Sequence, residues 1–195
     1  MALMPAFEIG LWNAWIFVIP ILVIAFSDMR VTAARESGQS ADFQLTRKEK
    51  RIINAIFLPM VVSFIYAVFL PLRLGAAWLC GGLVIYSLGV ASSIVAVLNF
   101  ATSPRDKLIT RGVYSISRNP MYVGLILIQV GLGIMCSSWL YLLLTLVLLI
   151  LLNENLSAEE RYCLYRYGDS YREYVNRTPR WIGIPKAGTE SDQGK

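Results

Sequence analysis

Apolar residues in this chain run in long blocks and do not alternate with polar ones. A helix that crosses a bilayer needs roughly 20 mainly apolar residues, and three blocks meet that requirement: Leu11 to Phe26, extendable back to Met4; Ile52 to Leu72; and Ala76 to Phe100. Two shorter blocks, Met121 to Met135 and Trp139 to Leu152, are separated only by Cys136-Ser137-Ser138. They predict a tight antiparallel helical hairpin that spans with the help of its flanks. The expected fold is therefore all-α, a polytopic integral membrane protein with about five transmembrane helices and a helical cytoplasmic C-terminal segment.

Polar stretches between and after the blocks carry more local information. The segment SAEERYCLYRYG predicts a helix from Ser157 to Tyr167, with Ser157 as N-cap, Glu160 closing a capping box and Gly168 as the stop. A second short helix is expected over Asp169 to Asn176, before Pro179. Tyr162, Tyr165, Tyr171, Tyr174 and Trp181, mixed with arginines, fit a segment lying at the membrane interface. In the third block, small residues recur at helical spacing from Gly81 to Val97, which predicts close helix packing more than a groove for a lipid tail. The chain divides into three spans at 1–100, a site-bearing region at 101–185 and a polar, disordered tail at 186–195.

Charge adds orientation. Six Lys and Arg fall between the first two blocks, one between the second and third, four between the third and fourth, none in the hairpin turn and seven after the fifth. The positive-inside rule then puts the N-terminus outside, the C-terminal tail in the cytoplasm, and both polar loops on the tail's side of the cytoplasmic membrane. With 56% hydrophobic residues, the modest excess of 18 basic over 13 acidic side chains fits membrane orientation and argues against nucleic-acid binding. Cys80, Cys136 and Cys163 are too scattered for a disulfide framework or a zinc site, so no metal is expected. Histidine is absent, so any chemistry must run on carboxylates, tyrosines, arginines and backbone groups. The N-terminal MALMPAFEIGLWNAW has no basic start and does not read as a cleaved signal peptide.

The stretch RGVYSISRNPMYVG, Arg111 to Gly124, leads into the fourth block. Arginines that snorkel, tyrosines in an aromatic belt, and Asn119-Pro120 as N-cap and first helical residue explain each group singly. Together with Glu159 and Glu160, however, the stretch offers what a zwitterionic, nucleoside-bearing ligand needs. Cations suit a carboxylate, anions suit an amine or ribose hydroxyls, and aromatic walls suit a base.

The run R-x-x-x-x-x-x-R-N-P-x-Y-x-G, then a short hairpin, then E-E, a helix and Y-x-x-Y-x-x-x-x-P-R, resembles the isoprenylcysteine carboxyl methyltransferase family and its phospholipid methyltransferase relatives, as a prokaryotic or archaeal member. The resemblance covers about Leu108 to Ile182. Arg118, Pro120, Tyr122 and Gly124 match the family's R-H-P-x-Y-x-G, and Glu159 with Glu160 match its E-E-x-x-L. Asn119 stands where the family usually has His, which argues against a proton-carrying role there. Cys163 or Leu164 stands in for the motif's Leu, leaving the register open by one residue.

The resemblance implies S-adenosylmethionine as methyl donor, S-adenosylhomocysteine as product, and a lipophilic small molecule or prenylated peptide as acceptor, drawn from membrane lipid surroundings. A prenylcysteine carboxylate is ionised at neutral pH and needs no general base; a phospholipid headgroup amine, the alternative acceptor, must first lose a proton. A polar donor and a lipid acceptor call for a pocket at the cytoplasmic interface, with the tail folded over the Arg111 to Gly124 loop as a lid. The candidate catalytic residues are Arg118, Glu159 and Glu160. The candidate cofactor-binding residues are these three with Lys107, Leu108, Ile109, Val113, Tyr114, Asn119 and Tyr122. Oligomeric state is not legible. A sterol-reductase-like NADPH enzyme would have more spans, and a transporter would carry intramembrane charges and broken helices.

Overall fold

The computed structural model describes residue 10 and residues 13–36, 43–72, 77–104 and 107–184. The start of the first block, the signal-peptide region and the 186–195 tail lie outside the described residues. Among the described residues six α-helices follow in order: α1 (Trp15–Glu36), α2 (Arg47–Phe69), α3 (Ala77–Thr102), α4 (Pro120–Met135), α5 (Trp139–Tyr167) and α6 (Asp169–Arg177), with a 3₁₀ turn over Gly112–Ser115 ahead of α4. Four of them, α1, α2, α3 and α5, are long and apolar enough to cross a membrane, and α4 is apolar but only 16 residues long. The chain is a multi-pass membrane protein.

The expected break after Leu152 does not exist. α5 continues without interruption for 29 residues, so Ser157 is an interior residue and caps nothing, and no capping box forms with Glu160. No Gly or Pro lies between Trp139 and Tyr167, and the polar stretch is knitted in helically, with Asn155 Nδ2 donating to Glu159 Oε1 at 2.8 Å. The helix ends where a residue with left-handed φ is required, at Gly168 with φ of 53°. A capping box does occur, at Thr46 and Glu49 on the N-terminus of α2. At 1.5 Å per residue α5 is about 44 Å long, while α4 is about 24 Å, less than the hydrocarbon thickness of roughly 30 Å. The last turns of α5 therefore stand well beyond the start of its antiparallel partner.

Helices α3 and α4 meet along a seam of small residues, as the spacing over Gly81 to Val97 predicted. A Cβ added at Gly82, Gly89, Gly124 or Gly131 would lie within 3.0 Å of the facing helix, against backbone atoms in each case. Lipid tails give helices little hydrophobic reason to associate, so such close backbone approach supplies the packing energy. Gly81, one residue from Gly82, faces outward: a methyl group placed there would meet nothing within 4 Å.

The end of the bundle away from the polar loops is held by buried and partly buried hydrogen bonds. Tyr141 donates to Gln129 Oε1 at 2.7 Å, Tyr86 to the Phe17 carbonyl at 2.8 Å, and Tyr66 pairs with Ser138 Oγ at 3.2 Å. The turn 136–138 uses left-handed Ser137, while Ser138 Oγ accepts from the Tyr141 N–H and so caps α5. Near the same end, the Ala14 N–H donates to the Leu70 carbonyl at 2.9 Å.

Substituting Gly131 by Leu drives a side chain into the backbone of Tyr86 and Gly82, so detergent unfolding should shift by about 1–3 kcal/mol or more toward the unfolded form. Gly81→Leu, on the open face, should leave the unfolding temperature nearly unchanged. Equal effects would contradict the seam.

Candidate active site

The C-terminal end of α1, the C-terminal end of α3, the N-terminal end of α4 and the extension of α5 converge on one face, where they enclose a cavity of 420 Å³. This convergence puts both polar loops and the tail on one side, as the basic-residue pattern required. From the segment before α4 come Leu108, Ile109, Tyr114, Arg118 and Asn119, and from α4 itself Pro120, Met121 and Tyr122. Glu159, Glu160 and Cys163 reach in from α5, and Tyr171 and Tyr174 from α6.

Glu160 organises the charged wall. Arg118 Nη1 lies 3.1 Å from Glu160 Oε1, and Arg180 makes a two-pronged contact with the same carboxylate, its Nε donating at 2.9 Å and its Nη2 to Oε2. Two arginines from separate segments thus share one carboxylate, and Glu160 holds the Arg180 guanidinium even more firmly protonated than usual. Glu159 is engaged differently, by the Tyr122 hydroxyl and by Asn155 Nδ2, both neutral donors. Buried Arg118 Nε and Asn155 Oδ1 have no hydrogen-bond partner among the described residues.

The tail folds back over the loop. The Arg118 N–H donates to the Pro179 carbonyl at 3.0 Å, the Gly183 N–H to the Ile116 carbonyl at 3.3 Å, and Asn119 Nδ2 to the Arg180 carbonyl at 2.9 Å. Asn119 is the residue before Pro120, but its side chain makes no cap bond; it binds the tail instead. Tyr174 donates to the Tyr114 carbonyl at 2.5 Å, and Trp181 Nε1 to Asn153 Oδ1 at 3.2 Å. Burial pushes the phenols of Tyr171 and Tyr174 above the ordinary tyrosine range, so both remain protonated donors at neutral pH. On the far side of the α5 extension, Arg161 grips Glu49 of α2 through Nε at 3.1 Å and Nη2 at 2.6 Å.

Of the sequence-derived candidates, Leu108, Ile109, Tyr114, Arg118, Asn119, Tyr122, Glu159 and Glu160 line the cavity together. Lys107 instead borders a neighbouring open cavity of 530 Å³, and Val113 lines neither; its carbonyl accepts from Ile116 and Ser117 within the 3₁₀ turn. Cys163 faces the cavity while Leu164 is exposed, so the register of the acidic motif favours Cys163. Sequence reasoning missed Arg180, quoted in the motif but given no role, and missed Asp28 and Thr32 of α1. Ending the first span at Phe26 left Asp28 in a loop, whereas α1 runs on to Glu36; an acid inside an apolar helix was the available signal.

Removing the Glu160 side chain leaves Arg118 and Arg180 without their shared anion, and hydrogen bonds to charged groups contribute about 1.5–3 kcal/mol each. Limited trypsin digestion of Glu160→Ala should cut after Arg177 or Arg180 much faster than in the parent chain. Arg172→Ala, which breaks the exposed pair with Asp169 and removes only its own cleavage site, should not speed cleavage after Arg177 or Arg180. Tail cleavage unaffected by Glu160→Ala would show that the cluster does not hold the tail.

Known proteins bear on this geometry directly. A profile of the family described as phospholipid methyltransferase matches residues 72–170, which include the Arg118 to Gly124 motif and both glutamates. The protein-S-isoprenylcysteine O-methyltransferase of Schizosaccharomyces pombe is 30% identical over 140 residues, which cover 69% of this chain and 58% of the yeast protein. A probable protein-S-isoprenylcysteine O-methyltransferase of Oryza sativa subsp. indica is 25% identical over 178 residues, covering 85% of this chain and 93% of the rice protein. Protein-S-isoprenylcysteine O-methyltransferase B of Arabidopsis thaliana is 31% identical over 94 residues, 48% of this chain and 47% of the plant protein. With half the chain matched by the family profile, and with the matched motifs gathered around one cavity, this chain belongs to the phospholipid methyltransferase family.

Proposed function

We propose that the protein transfers a methyl group from S-adenosylmethionine to the carboxylate of a prenylated cysteine, or of a similar lipophilic acceptor, at the cytoplasmic face of the membrane. The observation that carries this reading is the mixed-charge, aromatic-walled cavity at the ends of apolar helices, in a chain whose relatives bear the isoprenylcysteine O-methyltransferase name. The orientation, with the N-terminus outside and the tail in the cytoplasm, rests on the loop-by-loop distribution of basic residues.

The residues present fit the donor. A volume of 420 Å³ falls within the range of about 300–1,000 Å³ usual for small-molecule sites. Arg118 Nε is a buried donor with no partner among the described residues, suited to an anionic group on the ligand. Arg118 would hold the cofactor's carboxylate, Glu159 a ribose hydroxyl or the amine, and Leu108, Ile109 and the tyrosines the base.

S-adenosylmethionine supplies a methyl group already activated by its sulfonium, so an acceptor oxygen bonds to the methyl carbon as the carbon–sulfur bond breaks and the electron pair stays on sulfur. Alignment is then the main demand on the protein. Glu160, by fixing Arg118 and Arg180 together, immobilises the polar wall and keeps the tail across the cavity. Tyr174 and Asn119 hold the tail from the loop side, excluding water. No residue has to remove a proton from a carboxylate acceptor, in keeping with a chain that lacks histidine.

Purified protein given methyl-labelled donor and a farnesylcysteine analogue should form a product that releases methanol on mild alkaline treatment. Label appearing only as an alkali-stable group on an amine lipid would overturn carboxyl methylation. Arg118→Lys keeps the charge but loses the planar fork and Nε, and should weaken S-adenosylhomocysteine binding by about tenfold or more, roughly 1.4 kcal/mol, with little change in unfolding temperature. Unaltered affinity in that variant would remove Arg118 from the cofactor site.

A further inference from the structure

The matched family region begins at residue 72, yet the cavity is completed by a helix outside it. Asp28 and Thr32 of α1 form part of its lining. Asp28 belongs to the apolar segment Trp15–Ala33, which qualifies by length and composition as a membrane span, and an ionisable group in such a segment is costly unless it serves a polar cavity. Its neighbours Phe26 and Met29 are exposed, as lipid-facing side chains would be. Asp28 therefore sits on the cavity wall built by a lipid-facing helix.

The charges of the lining groups distinguish the three carboxylates. Glu160 is matched by Arg118 and Arg180. Glu159 receives only neutral donors, Tyr122 and Asn155. Asp28 accepts a long hydrogen bond of 3.4 Å from Thr32 Oγ1 and takes part in no salt bridge among the described residues. Asp28 and Glu159 thus face the cavity outside any salt bridge among the described residues, although Arg118 and Arg166 line it elsewhere, and the buried Asn155 Oδ1 next to Glu159 also lacks a partner among the described residues. A ligand with a cationic centre away from its carboxylate satisfies both sides.

Resting on the function proposed above, we infer that Asp28 is a positioning residue that faces the cationic methyl-bearing centre of the donor and makes the site prefer the charged donor over its neutral thioether product. The acceptor reaches the cavity from the bilayer, so the methyl group must be presented toward the wall that α1 builds. A fixed carboxylate there attracts a sulfonium and has nothing to attract in a thioether, which favours exchange of product for fresh donor. The same carboxylate discourages a carboxylate acceptor from settling before a cationic donor is in place, which gives an order to binding.

The test compares two ligands by calorimetry on the full-length protein in detergent: S-adenosylhomocysteine, which is neutral at sulfur, and sinefungin, in which a protonated amine replaces the methylsulfonium. Asp28→Asn is close to isosteric, and should weaken sinefungin binding by about tenfold or more while changing S-adenosylhomocysteine affinity by less than about twofold. Asp28→Glu keeps the charge and should retain the preference for sinefungin, which also guards against a general folding defect in the first variant. Parallel losses for both ligands in Asp28→Asn, no loss for either, or absence of the preference in Asp28→Glu would overturn the inference while leaving the proposed function intact. Failure of the unsubstituted protein to bind either ligand would overturn the proposed function itself.

Discussion

One carboxylate ties together the parts of this protein that chemistry would require. Glu160 takes Arg118 from the loop before α4 and Arg180 from the segment after α6, and it stands on α5 between them in space. Three segments that the chain separates by tens of residues are thereby joined through a single acidic group, with side-chain exposures of 20% for Glu160 and 11% for Arg118 that keep water largely away. Such a cluster costs desolvation to assemble, and losing any member leaves the others as poorly compensated charges. The polar wall and the closed tail are two consequences of the same interaction.

That interaction depends in turn on height. Because α4 is short and α5 is long, the loop entering α4 meets the flank of α5, where Glu159 and Glu160 emerge, and does not run past its end. The glycine seam between α3 and α4 fixes how closely the loop's own helix is held, and Asn99 at the end of α3 presses on Gly112. Arg161 on Glu49 then anchors the α5 extension to α2. The hydrogen-bonded tyrosines tie the helices together at the opposite end, away from the cavity at the polar face.

Much of this architecture is legible in the order of residues alone. The apolar blocks mark the helices, the Cys136-Ser137-Ser138 break marks the hairpin, and the small residues from Gly81 mark the close packing. Gly168 is a true stop because only a residue free to adopt left-handed φ ends the helix there. The polar run Asn153 to Ser157 misleads because polarity resembles a helix boundary, yet without Gly or Pro the backbone simply continues and converts those groups to i, i+4 partners. Arg118 and the glutamate pair stand out by pattern, but the division of labour between Glu159 and Glu160 does not, since neighbouring identical residues on a helix differ only in which face they present. Asp28 gains its meaning by sharing a cavity with residues roughly seventy or more positions away, and Arg180 by bonding Glu160 twenty positions away, relations that local spacing does not encode.

The central claim is that the cavity between the Leu108 to Tyr122 segment and the α5 extension receives the methyl donor. An experimental structure of the protein with S-adenosylhomocysteine tests it most directly. The ligand is predicted to occupy that cavity, in contact with Arg118 and Glu159 and within reach of Asp28. A ligand bound elsewhere on the protein, with this cavity filled by lipid or collapsed, would contradict the account.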